Sequence, residues 1–158
     1  MPKVSAGLLL YRHGPNGLEV LLAHPGGPAW ARRDAGAWTL PKGLVDDGDE
    51  SLEAVARREF REETGHVAPD GPLILLGQIR LKSGKLVHGF AAEGDLDPST
   101  ARSNMVEVAW PPRSGRVIRV PEVDRVAWLA PDAARTALHP AQAAFVDRLE
   151  AALPSVSR

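Results

Sequence analysis

The sequence predicts a mixed α/β (α+β) domain, and three observations carry that prediction. Short runs of alternating apolar residues, of strand length, recur from the first residues to the region around Trp128. A stretch of good helix formers between Asp49 and Gly65 interrupts them, with an acidic N-cap type before it and a glycine stop after it. The chain closes on a segment opened by Pro140, with apolar residues at helical spacing.

In order along the chain, residues 3–12 read as a strand with Val4, Ala6, Leu8 and Leu10 toward one face. Residues 13–17 (HGPNG) are a turn, and 18–24 a second strand. The Gly- and Pro-rich loop 24–38 carries Trp30, Trp38, Arg32 and Arg33, and its length suits a functional segment. Trp38 is expected to cap the core; Arg32 and Arg33 are either solvated or within reach of a phosphate. After the central helix, residues 73–82 and 85–93 form a hairpin through Ser83-Gly84, with His88 as a strand histidine satisfied within the fold. Residues 96–103 are a polar loop. Residues 104–110 are weakly strand-like, and a Pro-Pro-Arg-Ser-Gly break separates them from 117–120. This segment either selects substrate or is a loop with no contact to it. Residues 126–129 are a last strand, Pro131 opens a short helix, and about 140–152 form the final one, with Ala141, Ala144, Phe145, Leu149 and Ala152 inward.

Composition bounds the partners. At 158 residues, 44% hydrophobic and 25% charged, the chain is expected to form one domain, 1–158, with a substantial core. A net charge of −1 with scattered basic residues predicts no nucleic-acid partner, and no apolar run is long enough to predict a membrane span. The absence of cysteine removes disulfide and zinc-thiolate chemistry. A cytoplasmic monomer or homodimer is expected.

The central helix carries the chemistry. Leu52, Val55 and Ala56 mark its inward face, and the same face continues as Glu59, Glu62 and Glu63. Carboxylates at a helix C-terminus oppose the macrodipole, repel one another at i, i+3 and i, i+4, and are costly to desolvate. Arg58 offsets part of this; a hard dication such as Mg²⁺ or Mn²⁺ would offset the rest. A solvated acidic face is the alternative reading of the glutamates alone.

The spacing of Gly43, Glu50, Arg58, Glu59, Phe60, Glu62, Glu63 and Gly65 decides between them, because it resembles the signature of the Nudix hydrolases over 43–66. Only the last apolar slot departs, being His66. The resemblance implies an α/β/α sandwich with a mixed sheet and a loop-helix-loop motif. It also implies water-dependent cleavage of a diphosphate linked to another group, with Mg²⁺ or Mn²⁺ as cofactor. By the same resemblance Gly43 (through its carbonyl), Glu59, Glu62 and Glu63 are metal ligands, Arg58 orients the glutamates and Glu50 supports the loop. Lys42, in the lead-in WTLPKG, is expected to bind a substrate phosphate. A further carboxylate outside the signature is expected as ligand or base. Glu122, six residues before Trp128, is preferred to Glu107 and Glu93.

The start AGLLLYR, the lead-in and the tail around Glu122 are similar to diadenosine-tetraphosphate hydrolases. The tyrosine many of them carry is absent from Leu81, Lys82 and Ser83, and Arg80 stands where many ADP-ribose hydrolases have proline. The expected activity is hydrolysis of a phosphoanhydride bond in a nucleoside or dinucleoside polyphosphate. A MutT-like nucleoside triphosphate pyrophosphohydrolase, a diphosphoinositol-polyphosphate hydrolase and an inactive nucleotide-sensing module are the alternatives.

Overall fold

The computed structural model describes residues 2–154; Met1 and residues 155–158 of the expected 1–158 domain lie outside it. In chain order the elements are β1 (Val4–Gly14), β2 (Gly17–Pro25), β3 (Lys42–Leu44), α1 (Leu52–Thr64), β4 (Ile74–Arg80), β5 (Leu86–Glu93), β6 (Met105–Ala109), β7 (Val117–Pro121), β8 (Val123–Leu129), α2 (Pro131–Ala137) and α3 (Ala143–Ala152). The main sheet runs β4-β5-β1-β2-β8 and is mixed, because β1 lies parallel to β5 while its other pairings are antiparallel. The second edge of β1 is shared. Its C-terminal end pairs with β2, and Ser5 to Gly7 pair with β3, the strand that leads into the helix.

Both faces of the sheet are covered, as expected of an α/β/α sandwich. Ala6, Leu8 and Leu10 of β1 pack with Val55, Ala56 and Phe60 of α1. Leu9 and Tyr11, pointing the other way, pack with Ala134 of α2 and Phe145, Val146 and Leu149 of α3. Strands buried on both faces read as near-continuous apolar runs, which explains the LLLY of β1. Trp38 caps the second core, and its indole N–H donates to Asp34 at 2.6 Å. No helix of the described residues is long and apolar enough to cross a membrane.

Three details differ from the sequence expectations. The N-cap of α1 is Ser51, whose hydroxyl accepts the Ala54 N–H at 3.0 Å, and not Asp49. Asp49 is drawn away by two donors, the Arg58 guanidinium and the Asp46 N–H, which hold its carboxyl below the usual range. Ser51→Ala is therefore expected to cost about 1 kcal/mol, read as a shift in the urea midpoint at unchanged m-value. The stop at Gly65 is as predicted, with φ 76° and its N–H bonded to the Arg61 carbonyl. Secondly, Pro140 opens a 3-10 turn, Pro140–Gln142, before α3 begins at Ala143. Gln142 is buried there and its amide oxygen accepts from Leu40 N and Thr39 Oγ1, fixing the approach to β3; Ala152, expected inward, is exposed. Thirdly, β6 and β7 pair only with each other, as a two-stranded arm outside the main sheet.

Candidate active site

The site forms where α1 ends over β3. Val55, Ala56 and Phe60 bury one face of the helix, and the same face carries Glu59 and Glu63 inward, 9% and 3% exposed. Glu59 lies directly on Gly43: a Cβ at that position would come within 2.0 Å of its carboxylate. Only glycine leaves room for such an approach. Gly43 is opposite Ala6 on β1. Leu8 N bonds the Pro41 carbonyl at 3.0 Å and Val45 N the Val4 carbonyl at 2.9 Å. The alternation of an antiparallel ladder then makes Ala6 and Gly43 a bonded pair as well. The Gly43 carbonyl thus spends one lone pair on the sheet and keeps one.

Arg58 links the cluster to the preceding loop. Its guanidinium bonds Asp49 and lies 3.6 Å from Glu59 and 4.0 Å from Glu62. Glu62 is exposed beside it and not gathered inward. Glu50, expected to support the loop, is exposed and makes no hydrogen bond among the described residues; Asp49 does that work instead.

Of the three carboxylates considered outside the signature, the structure brings Glu122 to the helix. Its Oε1 accepts from Asn104 Nδ2 at 3.0 Å, and its N–H donates to the Asn104 carbonyl at 2.9 Å. Asn104 N in turn bonds the Glu62 carbonyl at 2.9 Å, stitching this segment to the end of α1. Glu107 sits on the arm opposite Arg119, and Glu93 lies at the far end of β5 opposite Tyr11. Asn104 was invisible to sequence reasoning: eighteen residues separate it from Glu122, and no periodicity marks it.

The electrostatics record the crowding. Burial, then Glu122 and Glu59, push Glu63 up to about 9, with Lys42 opposing. Burial first and Glu62 second raise Glu59 as well. One Glu63 oxygen, Oε2, is buried with no hydrogen-bond partner. Lys42 is lowered by burial and by Lys85, against the pull of Glu63, Glu122 and Glu59. His88 shares the row of Gln78, Ala6 and Gly43 on the sheet face that α1 covers, and forms no hydrogen bond among the described residues.

Among the described residues no three His, Cys, Asp or Glu side chains stand together so that they could hold a metal ion as placed. The chemistry of the donors nevertheless fits a hard dication: all-oxygen, like-charged, partly desolvated, and including one buried carboxylate oxygen without a partner. Glu59 and Glu63 are buried, while Glu62 is exposed beside Arg58.

Comparison with known proteins fits this geometry. Two curated RNA pyrophosphohydrolases of Caulobacter vibrioides strains are each 40% identical over 96 residues, 58% of this chain and 51% of the relative's length. The chain thus spans about half the length of the curated relatives it matches. Among solved structures, the NUDIX domain of Shewanella oneidensis NrtR complexed with ADP ribose aligns at TM-score 0.69 and 19% identity, covering 98% of this chain and 90% of that one. A C. elegans Ap4A hydrolase binary complex aligns at 0.62 and 22%, covering 93% and 96%. A MutT protein from Methanosarcina mazei aligns at 0.58 and 24%, covering 95% and 94%. These likenesses show the fold. The NUDIX domain family model matches residues 1–149, and the chain belongs to that family.

Proposed function

We propose that this chain is a Mg²⁺- or Mn²⁺-dependent pyrophosphohydrolase that cleaves a phosphoanhydride bond of a nucleoside or dinucleoside polyphosphate by attack of water at phosphorus. The observation that carries the reading is the meeting of Glu59, Glu63 and Glu122 with Lys42 at the end of α1, with one carboxylate oxygen left without a partner. The relatives named RNA pyrophosphohydrolase support anhydride cleavage in a phosphate chain.

Glu59, Glu62, Glu63 and Glu122, with the Gly43 carbonyl, would hold the dication. When bound, it supplies neutralisation of phosphate oxygens and a lowered pKa for the attacking water. The remaining work falls to the chain itself. Arg58 keeps Glu59 and Glu62 oriented from the Asp49 side. Lys42 meets a phosphate oxygen as a point charge. Glu122 is held through Oε1 by Asn104, which leaves Oε2 to receive the proton of the water. A chain without cysteine acting on nucleotides fits a cytoplasmic setting.

Glu122→Gln is expected to lower turnover on the order of 100-fold with the fold intact; turnover within a few-fold of wild type would remove Glu122 from this role. The function itself is tested with a panel of nucleoside triphosphates, dinucleoside polyphosphates and ADP-ribose, run with Mg²⁺ in H₂¹⁸O. The expected result is ¹⁸O in one phosphate-containing product. A silent panel alongside tight nucleotide binding would favour the nucleotide-sensing module instead.

A further inference from the structure

The arm of β6 and β7 is rooted in the site. Asn104 precedes it, Glu122 follows it, and the two are joined through both backbone and side chains. The loop after β2 presses on the same root. A Cβ on Gly26 would meet the Pro121 carbonyl at 1.9 Å, Gly26 N bonds the Glu122 carbonyl, and Gly27 faces Val120. That loop carries Trp30, 38% exposed, with the Arg33 guanidinium 5.5 Å from its ring centroid. Arm and loop therefore flank Glu122.

The charge on these two elements is unbalanced and unspent. The hairpin bears Arg113, Arg116 and Arg119 against Glu107 alone. Arg119 and Glu107 are opposite each other in register yet form no ion pair. Arg12, Arg57, Arg58, Arg125 and Arg135 each hold a carboxylate. Among the described residues no carboxylate pairs with Arg32, Arg33, Arg113, Arg116 or Arg119, nor with Arg61, Arg80, Arg102 or Arg148 elsewhere on the fold. Val117 and Ile118 are exposed between them. Free guanidiniums interleaved with exposed apolar and aromatic surface suit a ligand made of phosphates and flat bases.

Reach decides how long that ligand is. At roughly 3.4 Å per strand residue, Arg119 and Arg116 stand about 10 and about 20 Å along the arm from Glu122. Arg113 lies beyond them in the turn at the tip, with φ 61°. A single nucleotide held by its phosphates at the glutamates does not extend so far; a strand does.

Resting on the hydrolase reading above, we propose that the arm and loop 26–37 clamp a single-stranded oligonucleotide whose 5′ phosphate chain lies at Glu59, Glu63 and Glu122. Trp30 stacks on a base, and Arg113, Arg116 and Arg119 neutralise internucleotide phosphates. The net charge of −1 conceals this surface because the balancing carboxylates lie elsewhere on the chain.

The test is fluorescence anisotropy in Mg²⁺ with 3′-labelled oligoribonucleotides of about two, four and eight nucleotides, each carrying a single 5′ phosphate that has no anhydride bond to cleave. Affinity is expected to rise with length. The triple variant R113Q/R116Q/R119Q is expected to weaken binding of the longest probe and to reduce the slope of log K against log salt by about 2. Trp30→Ala, on the other element, is expected to weaken it about tenfold; circular dichroism checks the fold of both. Binding independent of length, or unchanged in both variants, would overturn the proposal. So would a triple variant whose sole effect is to split a dimer in sedimentation. Because binding is read without hydrolysis, a silent substrate panel counts against the enzyme reading and leaves this result standing.

Discussion

Glu59→Gln is expected to lower kcat on the order of 1000-fold or more with the folded structure intact. The reason is placement. Glu59 is the carboxylate that lies on the Gly43 backbone, inside 3.6 Å of Arg58 and among Glu62, Glu63 and Glu122. Glutamine keeps the volume and one carbonyl oxygen but removes the charge a dication needs. Steady-state kinetics with saturating Mg²⁺ checks this. The loss should fall on kcat and kcat/KM together, as for an interaction made in the transition state. A KM effect alone would assign Glu59 to ground-state binding.

The second large effect concerns stability without metal. Glu63 binds its proton far more tightly in the folded chain, where burial, then the charges of Glu122 and Glu59, lift it from 4.5 to about 9, than in the unfolded one. Between about 4.5 and about 9 the folded state therefore holds more protons, and stability falls as pH rises through that window. Below it both states are protonated and the difference vanishes. The slope approaches 1.4 kcal/mol per pH unit at about 25 °C. Chelated wild type is thus expected to lose on the order of 2 kcal/mol between about pH 6 and about pH 8. Glu63→Gln, which never ionises, should lose much less and melt higher at the alkaline end. Urea denaturation in EDTA at both pH values reads the difference. A wild type as flat as the variant would show that Glu63 is not desolvated as described.

The contrast between these two glutamates and their neighbour shows how far helical spacing reaches. Period 3.6 carries the inward stripe of α1 from Val55 through Glu59 and Glu63, so spacing alone puts both on a buried face. The same logic places Glu62 with them, yet it lies outside beside Arg58, because the stripe's edge faces solvent at the helix end. Local pattern also favours Asp49 as N-cap. Serine and aspartate both cap well, and what separates them here is Arg58, nine residues from Asp49 and nearly two turns into the helix.

Long-range pairing is harder to read from the chain. β1 and β8 announce themselves through apolar runs, and Glu122 through its distance from Trp128. Nothing local tells that β6 and β7 leave the sheet. Their residues are half-buried or exposed, so the alternation that marks a core strand is weak. Asn104 is silent for the same reason. Its work is done across eighteen residues, on Glu122. Net charge is likewise a sum over the chain, and it does not show that Arg113, Arg116 and Arg119 lie together on one arm.

All of this rests on the proposal that a dication binds among the crowded, desolvated carboxylates at the end of α1. The most direct measurement is isothermal titration calorimetry of Mg²⁺ and Mn²⁺ into the chelated protein, at about pH 7.5 in two buffers of different ionisation enthalpy. The account predicts saturable uptake accompanied by proton release, since Glu63 must give up its proton to become a ligand. Both should be much reduced in Glu63→Gln. No heat of binding for either ion, with and without nucleotide, would contradict it.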